Sequence, residues 1–145
     1  MCSKIPKLEI MITKIEHIGI AVKDAKKSNE IFEKLLGHAS YKSELVESQG
    51  VKTYFYQVGE SKIELLESTS DKSPINNYLQ KRGDGVHHLA LHVEDIHLEL
   101  ERLTNLGFET IGEVSKGADN KLICFLHPKS TNGVLIELCQ ELNQL

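Results

Sequence analysis

Cysteine is scarce in this sequence, and long uninterrupted apolar runs are absent from it. The three cysteines, Cys2, Cys124 and Cys139, are odd in number and form no CxxC pair. This argues against a disulfide framework and favours a reducing compartment, with Cys124 and Cys139 as small core residues in apolar runs. Lys and Glu interrupt the apolar residues of the N-terminal stretch, so it resembles neither a signal peptide nor a membrane span. These absences predict a cytoplasmic protein without a membrane segment.

The charge balance and the missing motifs exclude several further functions. The formal net charge is −4, with 26% charged residues, and this gives no sign of the concentrated basic surface of a nucleic-acid-binding protein. The motifs GxGxxG, GxxxxGK[ST], GxSxG and HExxH are also missing, and with them the chemistry that each supports. What is present is 145 residues, 40% of them hydrophobic. That length and composition predict one compact domain over residues 1–145 with a sizeable core.

An internal repeat organises the chain. Residues 17–24 (HIGIAVKD) align with residues 88–95 (HLALHVED), because each stretch starts with His and ends with Val, a charged residue and Asp. A helical pattern follows each copy, over 25–36 in the first half and 96–106 in the second. Each predicted helix has an Asp before its first residue and a Gly after its last, namely Asp24 and Gly37 in one and Asp95 and Gly107 in the other. Such residues are typical of helix caps.

Short strand-like runs follow each predicted helix. They cover 39–47, 51–58 and 62–68 in the first half, and 109–114, 122–127 and 134–140 in the second. Both halves therefore read βαβββ, which predicts an α+β fold of two tandem modules. Module 1 covers about 14–69, module 2 covers about 86–141, and the connector 70–85 carries a short helix over 75–81.

Each half places one His on its first strand and one Glu on its last strand. These four residues are His17, Glu64, His88 and Glu137. Side chains alternate along a strand, so each Glu points away from its apolar neighbours and needs a partner if it is buried. Two imidazoles and two carboxylates suit a divalent ion such as cobalt, zinc, manganese or nickel, with room for water or substrate. Any one of the four alone would more often be a solvated or hydrogen-bonded residue, and the repeat is what favours the metal site.

The other histidines are not expected to bind the metal. Alternation sends His87 to the face opposite His88, and His92 and His97 occupy positions that look exposed. His127 begins a His-Pro turn and is expected only as an outer partner of the site.

A group of lysines, Lys116, Lys121 and Lys129, lies late in the chain. Solvated loop charges explain such a group most simply. The functional interpretation is a contact with ligand phosphates, for which Lys and Arg are common. Lys121, Lys129 and His127 are therefore candidate substrate contacts.

Four segments carry a resemblance to a known family, and together they span nearly the whole chain from Ile15 to Gln140. They read IEHIGIAVKD, YFYQVGESKIELLES, SPINNYLQKRGDGVHHLALHVEDI and CFLHPKSTNGVLIELCQ. The chain resembles the vicinal oxygen chelate superfamily, which includes glyoxalases, bleomycin resistance proteins and dioxygenases, and within it the methylmalonyl-CoA epimerase family. The doubled histidine with the FLHPK and GVLIEL strings is typical of the epimerase branch.

The resemblance implies a U-shaped, partly closed mixed sheet around a metal site, in a homodimer. It places the metal ligands at His17, Glu64, His88 and Glu137, with Gln also accepted at the Glu64 position, and it favours cobalt among the possible ions. The implied reaction interconverts (2R)- and (2S)-methylmalonyl-CoA through proton abstraction next to the thioester. Glu137 is our candidate for one of the two groups that move the proton.

The chain departs from the family pattern at two places. Thr53 stands where certain epimerases carry a glutamate, and a Thr hydroxyl cannot act as the base. Glu44 and Glu47 are near in sequence, but alignment supports neither of them as a replacement. The loop Ala118–Asn120 is also less rich in glycine than its counterparts. These departures weaken the assignment of the substrate more than the assignment of the metal ligands.

Three other functions remain open at this stage. A glyoxalase I-type lactoylglutathione lyase would use a similar metal and base. A non-haem iron dioxygenase would need only His17, His88 and Glu137, and Glu64 counts against it because a fourth ligand occupies an open position. A non-catalytic small-molecule binding protein would have no need of four metal ligands.

Overall fold

The structure is a computed structural model that describes residues 11–142, so Cys2 lies outside the described residues. Eight strands and three helices follow one another within these described residues. They are β1 (Ile12–Val22), α1 (Ala25–Leu36), β2 (Lys42–Val46), β3 (Val51–Val58), β4 (Ser61–Ser68), α2 (Pro74–Arg82), β5 (Gly85–Val93), α3 (Ile96–Asn105), β6 (Thr110–Gly117), β7 (Lys121–Leu126) and β8 (Ile136–Glu141). Short 3₁₀ helices lie at Glu47–Gln49 and Pro128–Ser130.

The helix ends follow the capping residues. A side-chain oxygen of Asp24 accepts a hydrogen bond from the Lys27 amide at 3.0 Å, and Gly37 ends α1 with a φ of 84°. Asp95 caps α3 in the same way by accepting from two backbone amides. The bounds predicted for α1 are confirmed, and α3 ends one residue earlier than predicted, with Leu106 as its C-cap.

All eight strands of the described region form one mixed sheet in the order β2-β3-β4-β1-β5-β8-β7-β6. Within each half the first and last strands pair in parallel, β1 with β4 and β5 with β8. The two halves join where β1 and β5 pair antiparallel. The tandem modules therefore share a single sheet within one chain, with a seam at its centre.

The sheet curls until its two ends approach each other. The turn between β6 and β7 reaches the first strand of the sheet, where the Asp119 amide donates to a Glu44 carboxylate oxygen at 3.0 Å. The side chain of Asp119 also pairs with Lys42 of β2 and with Lys62 of β4, the latter at 2.9 Å. The predicted α+β fold with a curved, partly closed mixed sheet is confirmed.

The helices cover one face of the sheet with apolar side chains. Phe32 and Leu36 of α1 pack against a cluster that contains Leu65, and Ile96 of α3 belongs to a cluster with Leu138. Burial of these side chains is the main stabilising contribution to the fold. Cys124 and Cys139 are free and buried, as predicted.

Among residues 11–142, no helix has the length and apolar character that a membrane crossing requires.

Candidate active site and metal centre

A cavity of about 370 Å³ opens on the inner face of the curled sheet. The four predicted ligands line it, one from each of the central strands β4, β1, β5 and β8. All four are buried, with at most 6% of each residue exposed. Apolar side chains such as Val51, Leu66 and Phe125 form much of the remaining wall. A mostly apolar cavity with a few convergent polar groups is typical of a small-molecule site.

Three of the ligand candidates form one compact group. His17 Nε2 lies 2.9 Å from His88 Nε2 and 3.3 Å from Glu137 Oε1. The distance between His88 Nε2 and Glu137 Oε2 is 3.8 Å. One ligand atom from each of these residues therefore lies within 4.8 Å of the others. The repeat has brought together two histidines and a carboxylate from three different strands.

Glu64 contacts the other side of the His17 ring. Its Oε2 lies 3.0 Å from His17 Nδ1, and Glu16 Oε1 lies 3.5 Å from the same nitrogen. Atoms of Glu16, His17 and Glu64 form a second group within 4.8 Å. The structure thus places all four predicted residues in one cavity, but as two groups that share His17.

For His17 and Glu137, burial and neighbouring charges shift the pKa in opposite directions. Burial alone would lower the pKa of His17, but the negative charges of Glu64 and Glu137 raise it to about 10. Burial raises the pKa of Glu64 to about 7 and lowers that of His88 to about 3. Glu137 stays ionised, because the neighbouring histidines outweigh its burial and lower its pKa to about 2. In the metal-free protein, a proton on His17 supplies the positive charge that these carboxylates require.

The residues present fit a divalent cation. Within the described chain, His17 Nδ1 is buried and makes no aligned hydrogen bond, although a carboxylate oxygen lies only 3.0 Å away. Neutral imidazoles and ionised carboxylates are the ligands that zinc and related ions prefer. Such an ion could be held by His17, His88 and Glu137, with Glu64 as the fourth candidate.

Gly19 leaves the space that the His88 ring fills. A Cβ atom at Gly19 would lie 2.6 Å from His88 Nδ1 and 2.8 Å from His88 Nε2, distances that carbon and nitrogen atoms do not adopt without displacement. The two residues lie opposite each other in the β1–β5 pair. A residue without a side chain is therefore required here for the His88 ring to reach the cavity.

The expectation that His87 faces away from His88 is wrong. His87 lines the same cavity, and its Nδ1 lies 2.9 Å from His88 Nδ1. The reason is a β-bulge: Gly19 pairs with His88 and Ile20 pairs with Val86, so His87 is the extra residue. A bulge breaks the alternation of side chains and re-aims the extra residue.

His92 also differs from its predicted position. Its side chain is only 14% exposed, and its Nε2 lies 3.7 Å from Glu94 Oε1. Alternation along one strand predicts the face of the sheet on which a side chain lies but not what covers that face, so it could not predict this burial. His97, on α3, is exposed as predicted.

Two residues that sequence reasoning missed contact the predicted ligands. The Cys139 thiol donates to Glu137 Oε1 at 2.9 Å, and alternation could have indicated this, since residues two apart share a strand face. Glu16, which is 1% exposed, is the extra residue of a second bulge, because Ile15 pairs with Leu91 and His17 with Ala90. No pattern in the sequence indicates that bulge.

Lys121 is a buried residue of the cavity wall and not a solvated loop residue. It is 4% exposed, and its Nζ lies 3.3 Å from Glu16 Oε1 and 3.1 Å from Asp119 Oδ2. Lys62 contacts the same two carboxylates. Although burial opposes it, the adjacent His17 ring and the two lysines hold the pKa of Glu16 well below its usual range. The structure thus places an ion cluster beside the predicted metal ligands, in which Glu16 and Lys121 are buried and Lys62 and Asp119 are partly buried.

The other two candidate substrate contacts lie outside the cavity lining. His127 caps the 3₁₀ helix Pro128–Ser130, and its Nδ1 accepts from the Lys129 amide at 3.2 Å. Lys129 is exposed, and its Nζ lies 3.3 Å from Glu109 Oε2. Their role in binding a substrate stays a prediction.

Comparison with known proteins shows the family and the fold. Residues 16–125 match the glyoxalase/bleomycin resistance protein/dioxygenase superfamily. The mitochondrial methylmalonyl-CoA epimerase of Dictyostelium discoideum is 39% identical over 132 residues, which are 90% of this chain and 80% of that protein. The uncharacterized protein YqjC of Bacillus subtilis is 38% identical over 130 residues, 89% of this chain and 93% of that protein.

A solved structure shows the same fold with a ligand bound. It is a variant of the Streptomyces coelicolor methylmalonyl-CoA epimerase in complex with 2-nitronate-propionyl-CoA. The two structures superpose with a TM-score of 0.84 at 32% identity, covering 90% of this chain and 96% of that chain. The similarity therefore extends over nearly the whole of both chains.

Proposed function

Because this chain belongs to the glyoxalase/bleomycin resistance protein/dioxygenase superfamily, we propose that it is a metal-dependent epimerase that interconverts (2R)- and (2S)-methylmalonyl-CoA. The observation that carries the proposal is the group of His17, His88 and Glu137 on the wall of a largely apolar cavity. Relatives named as methylmalonyl-CoA epimerases support the substrate.

The reaction removes a weakly acidic proton from a carbon between a thioester and a carboxylate. A bound divalent ion would supply a Lewis acid for the oxygens of these two groups, and so stabilise the enolate charge. His17, Glu64, His88 and Glu137 would hold that ion. The apolar wall excludes water and so strengthens the electrostatic interactions inside the cavity.

Glu137 is the group that we assign to proton removal. Its carboxylate is ionised, because the nearby histidines keep its pKa low despite its burial. The Cys139 thiol donates to Oε1 and fixes the orientation of the carboxylate. Oε2, which lies 3.8 Å from His88, is the oxygen that would accept the proton from the substrate carbon.

Lys121 supports recognition of an acyl group that carries a carboxylate. Its ammonium group lies in the cavity wall, held by Glu16 and Asp119. A lysine ammonium has three N–H donors, so one remains to contact a ligand oxygen. Thr53 also lines the cavity and is 2% exposed, but its hydroxyl cannot replace the glutamate that certain relatives carry there.

Several finer features belong to the same proposal. Cobalt is the favoured ion, with zinc, manganese and nickel as alternatives for the same donor set. The family resemblance supports a homodimer, which analytical ultracentrifugation would measure. The few cysteines, with no CxxC pair, support a cytoplasmic location. Lys129 and His127 stay candidates for contacts with the coenzyme A portion.

A coupled assay with pure (2R)-methylmalonyl-CoA tests the proposal. We expect metal-loaded protein to form the (2S) epimer, and EDTA-treated protein to form little. Absence of conversion with each of cobalt, zinc, manganese and nickel would contradict the assignment. Conversion of a glutathione hemithioacetal would instead indicate a lyase, and oxygen uptake with ferrous iron would indicate a dioxygenase.

A further inference from the structure

His87 lies next to the metal site without belonging to either group of ligand atoms. The bulge in β5 turns its ring towards His88, so that the two Nδ1 atoms lie 2.9 Å apart. Tyr78 packs edge-on against the His87 ring with 5.1 Å between the ring centroids. The Tyr78 hydroxyl is itself fixed, because it donates to the Val86 carbonyl at 2.9 Å. Contacts with His88 on one side and Tyr78 on the other therefore fix the position of the His87 ring.

The two ring nitrogens of His88 face different groups. Its Nε2 faces the ligand group and lies 2.9 Å from His17 Nε2 and 3.8 Å from Glu137 Oε2, whereas its Nδ1 lies 2.9 Å from His87 Nδ1. A neutral imidazole carries one proton, and the nitrogen without a proton has the lone pair that can bind an ion. With Nε2 as the ligand atom, Nδ1 carries the proton and faces His87.

We propose that His87 is a positioning residue, which accepts the Nδ1 proton of His88 and so keeps the Nε2 lone pair of His88 directed at the ligand group. The opposite direction would place a proton on His88 Nε2, the nitrogen that faces the ligand group. The consequence for metal binding rests on the proposed function, whereas the tautomer of His88 is a property of the metal-free protein.

The expected magnitude follows from other metal sites. A ligating histidine commonly donates its second ring N–H to a neighbouring group, and removing that group costs about 10–100-fold in metal affinity. At most sites the acceptor is a carboxylate, a carbonyl or water. Here the 2.9 Å contact makes it a second imidazole.

¹H–¹⁵N NMR of the metal-free protein tests the tautomer of His88 directly. In the native sequence, long-range ¹H–¹⁵N spectra should show His88 protonated at Nδ1. In His87→Phe, which keeps a ring against Tyr78 but removes the acceptor, His88 should become a mixture of both tautomers. A His88 ring protonated mainly at Nε2 in the native protein would overturn the proposal.

Metal affinity, measured by competition with a chelating dye, tests the consequence. His87→Phe should bind zinc or cobalt about 10–100-fold more weakly, and His87→Gln, whose carbonyl can accept, should recover part of the loss. His97→Gln on the exposed face of α3 is the matched control and should bind like the native protein. Melting temperatures in EDTA separate this effect from a general loss of folding.

Unchanged affinity in a folded His87→Phe would overturn the positioning role. If His87→Phe fails to fold, the metal affinity of His87→Gln is compared with that of His87→Leu under the same conditions. Equal affinities in these two variants would overturn the positioning role. If the native protein binds no metal at all, the proposed function fails, while the NMR spectra still decide the tautomer.

Discussion

At the scale of single residues, His17 connects the two groups of ligand atoms. Its Nε2 faces His88 and Glu137, and its Nδ1 faces Glu64. The proton on the His17 ring and a bound divalent ion would each supply positive charge to the same carboxylates, Glu64 and Glu137. The proton and the ion therefore compete. Metal binding should release the His17 proton to solvent.

This competition predicts how metal affinity depends on pH. Because the pKa of His17 is raised to about 10, the ring must lose its proton for metal to bind at any lower pH. The apparent affinity should rise by up to about tenfold per pH unit between neutral pH and about 10, since one proton is displaced. Calorimetry in buffers of different ionisation enthalpy counts the protons. An affinity that does not change over this range would contradict the assignment.

Gly19 provides a second prediction at this scale. In Gly19→Ala the new methyl group would overlap the His88 ring, so the ring must move out of the ligand group. We expect a large loss of metal affinity, and a destabilisation of about 1–3 kcal/mol from overpacking. Metal titration and urea unfolding measure the two effects.

Gly117→Ala is the matched control for that variant. Its added Cβ atom would lie 2.8 Å from Ile123 Cδ1, so it also overpacks, but against an apolar side chain. It should lose stability and keep its metal affinity. Equal affinities in the two variants would show that the Gly19–His88 contact does not control metal binding.

At the scale of secondary structure, the helices and most strands could be predicted from local signals. Asp24 and Gly37 define α1 through hydrogen bonds and backbone angles that these residue types favour, and period-two alternation identified Glu64 and Glu137 as the inward side chains. The bulges at Glu16 and His87 could not be predicted, because alternation assumes a regular strand and each bulge depends on the partner strand. For that reason Glu16 and His87 were missed, although each adjoins a predicted ligand.

The turn between β6 and β7 carries a prediction of its own. Asp119 accepts from Lys42, Lys62 and Lys121, and these contacts join the two ends of the curled sheet. Asp119→Asn should destabilise the protein by about 1–3 kcal/mol, since charge-assisted hydrogen bonds are lost. Urea unfolding measures it, with Asp71→Asn at an exposed position as the control.

The pH dependence of this contribution has a definite sign. Burial would raise the pKa of Asp119, but the three lysines lower this pKa well below its usual range. A carboxylate with a lowered pKa in the folded state stabilises it above the unfolded pKa, and the contribution is lost as the pH falls below that value. The stability difference between native protein and Asp119→Asn should therefore be constant at neutral pH and shrink in acid. A difference that grows in acid would contradict the ion cluster.

At the scale of the whole molecule, the repeat places the site at the seam between the two modules. Each half contributes one histidine and one glutamate, and the compact group of His17, His88 and Glu137 includes residues from both. The sequence predicted these pairs because the repeat preserves their positions. The separation of Glu64 from the compact group, and the apolar cavity, depend on how eight strands curl together, which no local pattern contains.

The most direct test of the central claim is solvent exchange at the substrate carbon. Metal-loaded protein is incubated with (2R)-methylmalonyl-CoA in deuterated water, and deuterium at C2 is measured by mass spectrometry. We predict one deuterium in the product formed by the native protein, and little in a folded Glu137→Gln variant that still binds metal. Absence of deuterium with the native protein would contradict the proposed epimerase activity, and full incorporation with Glu137→Gln would contradict the role of Glu137 in proton removal.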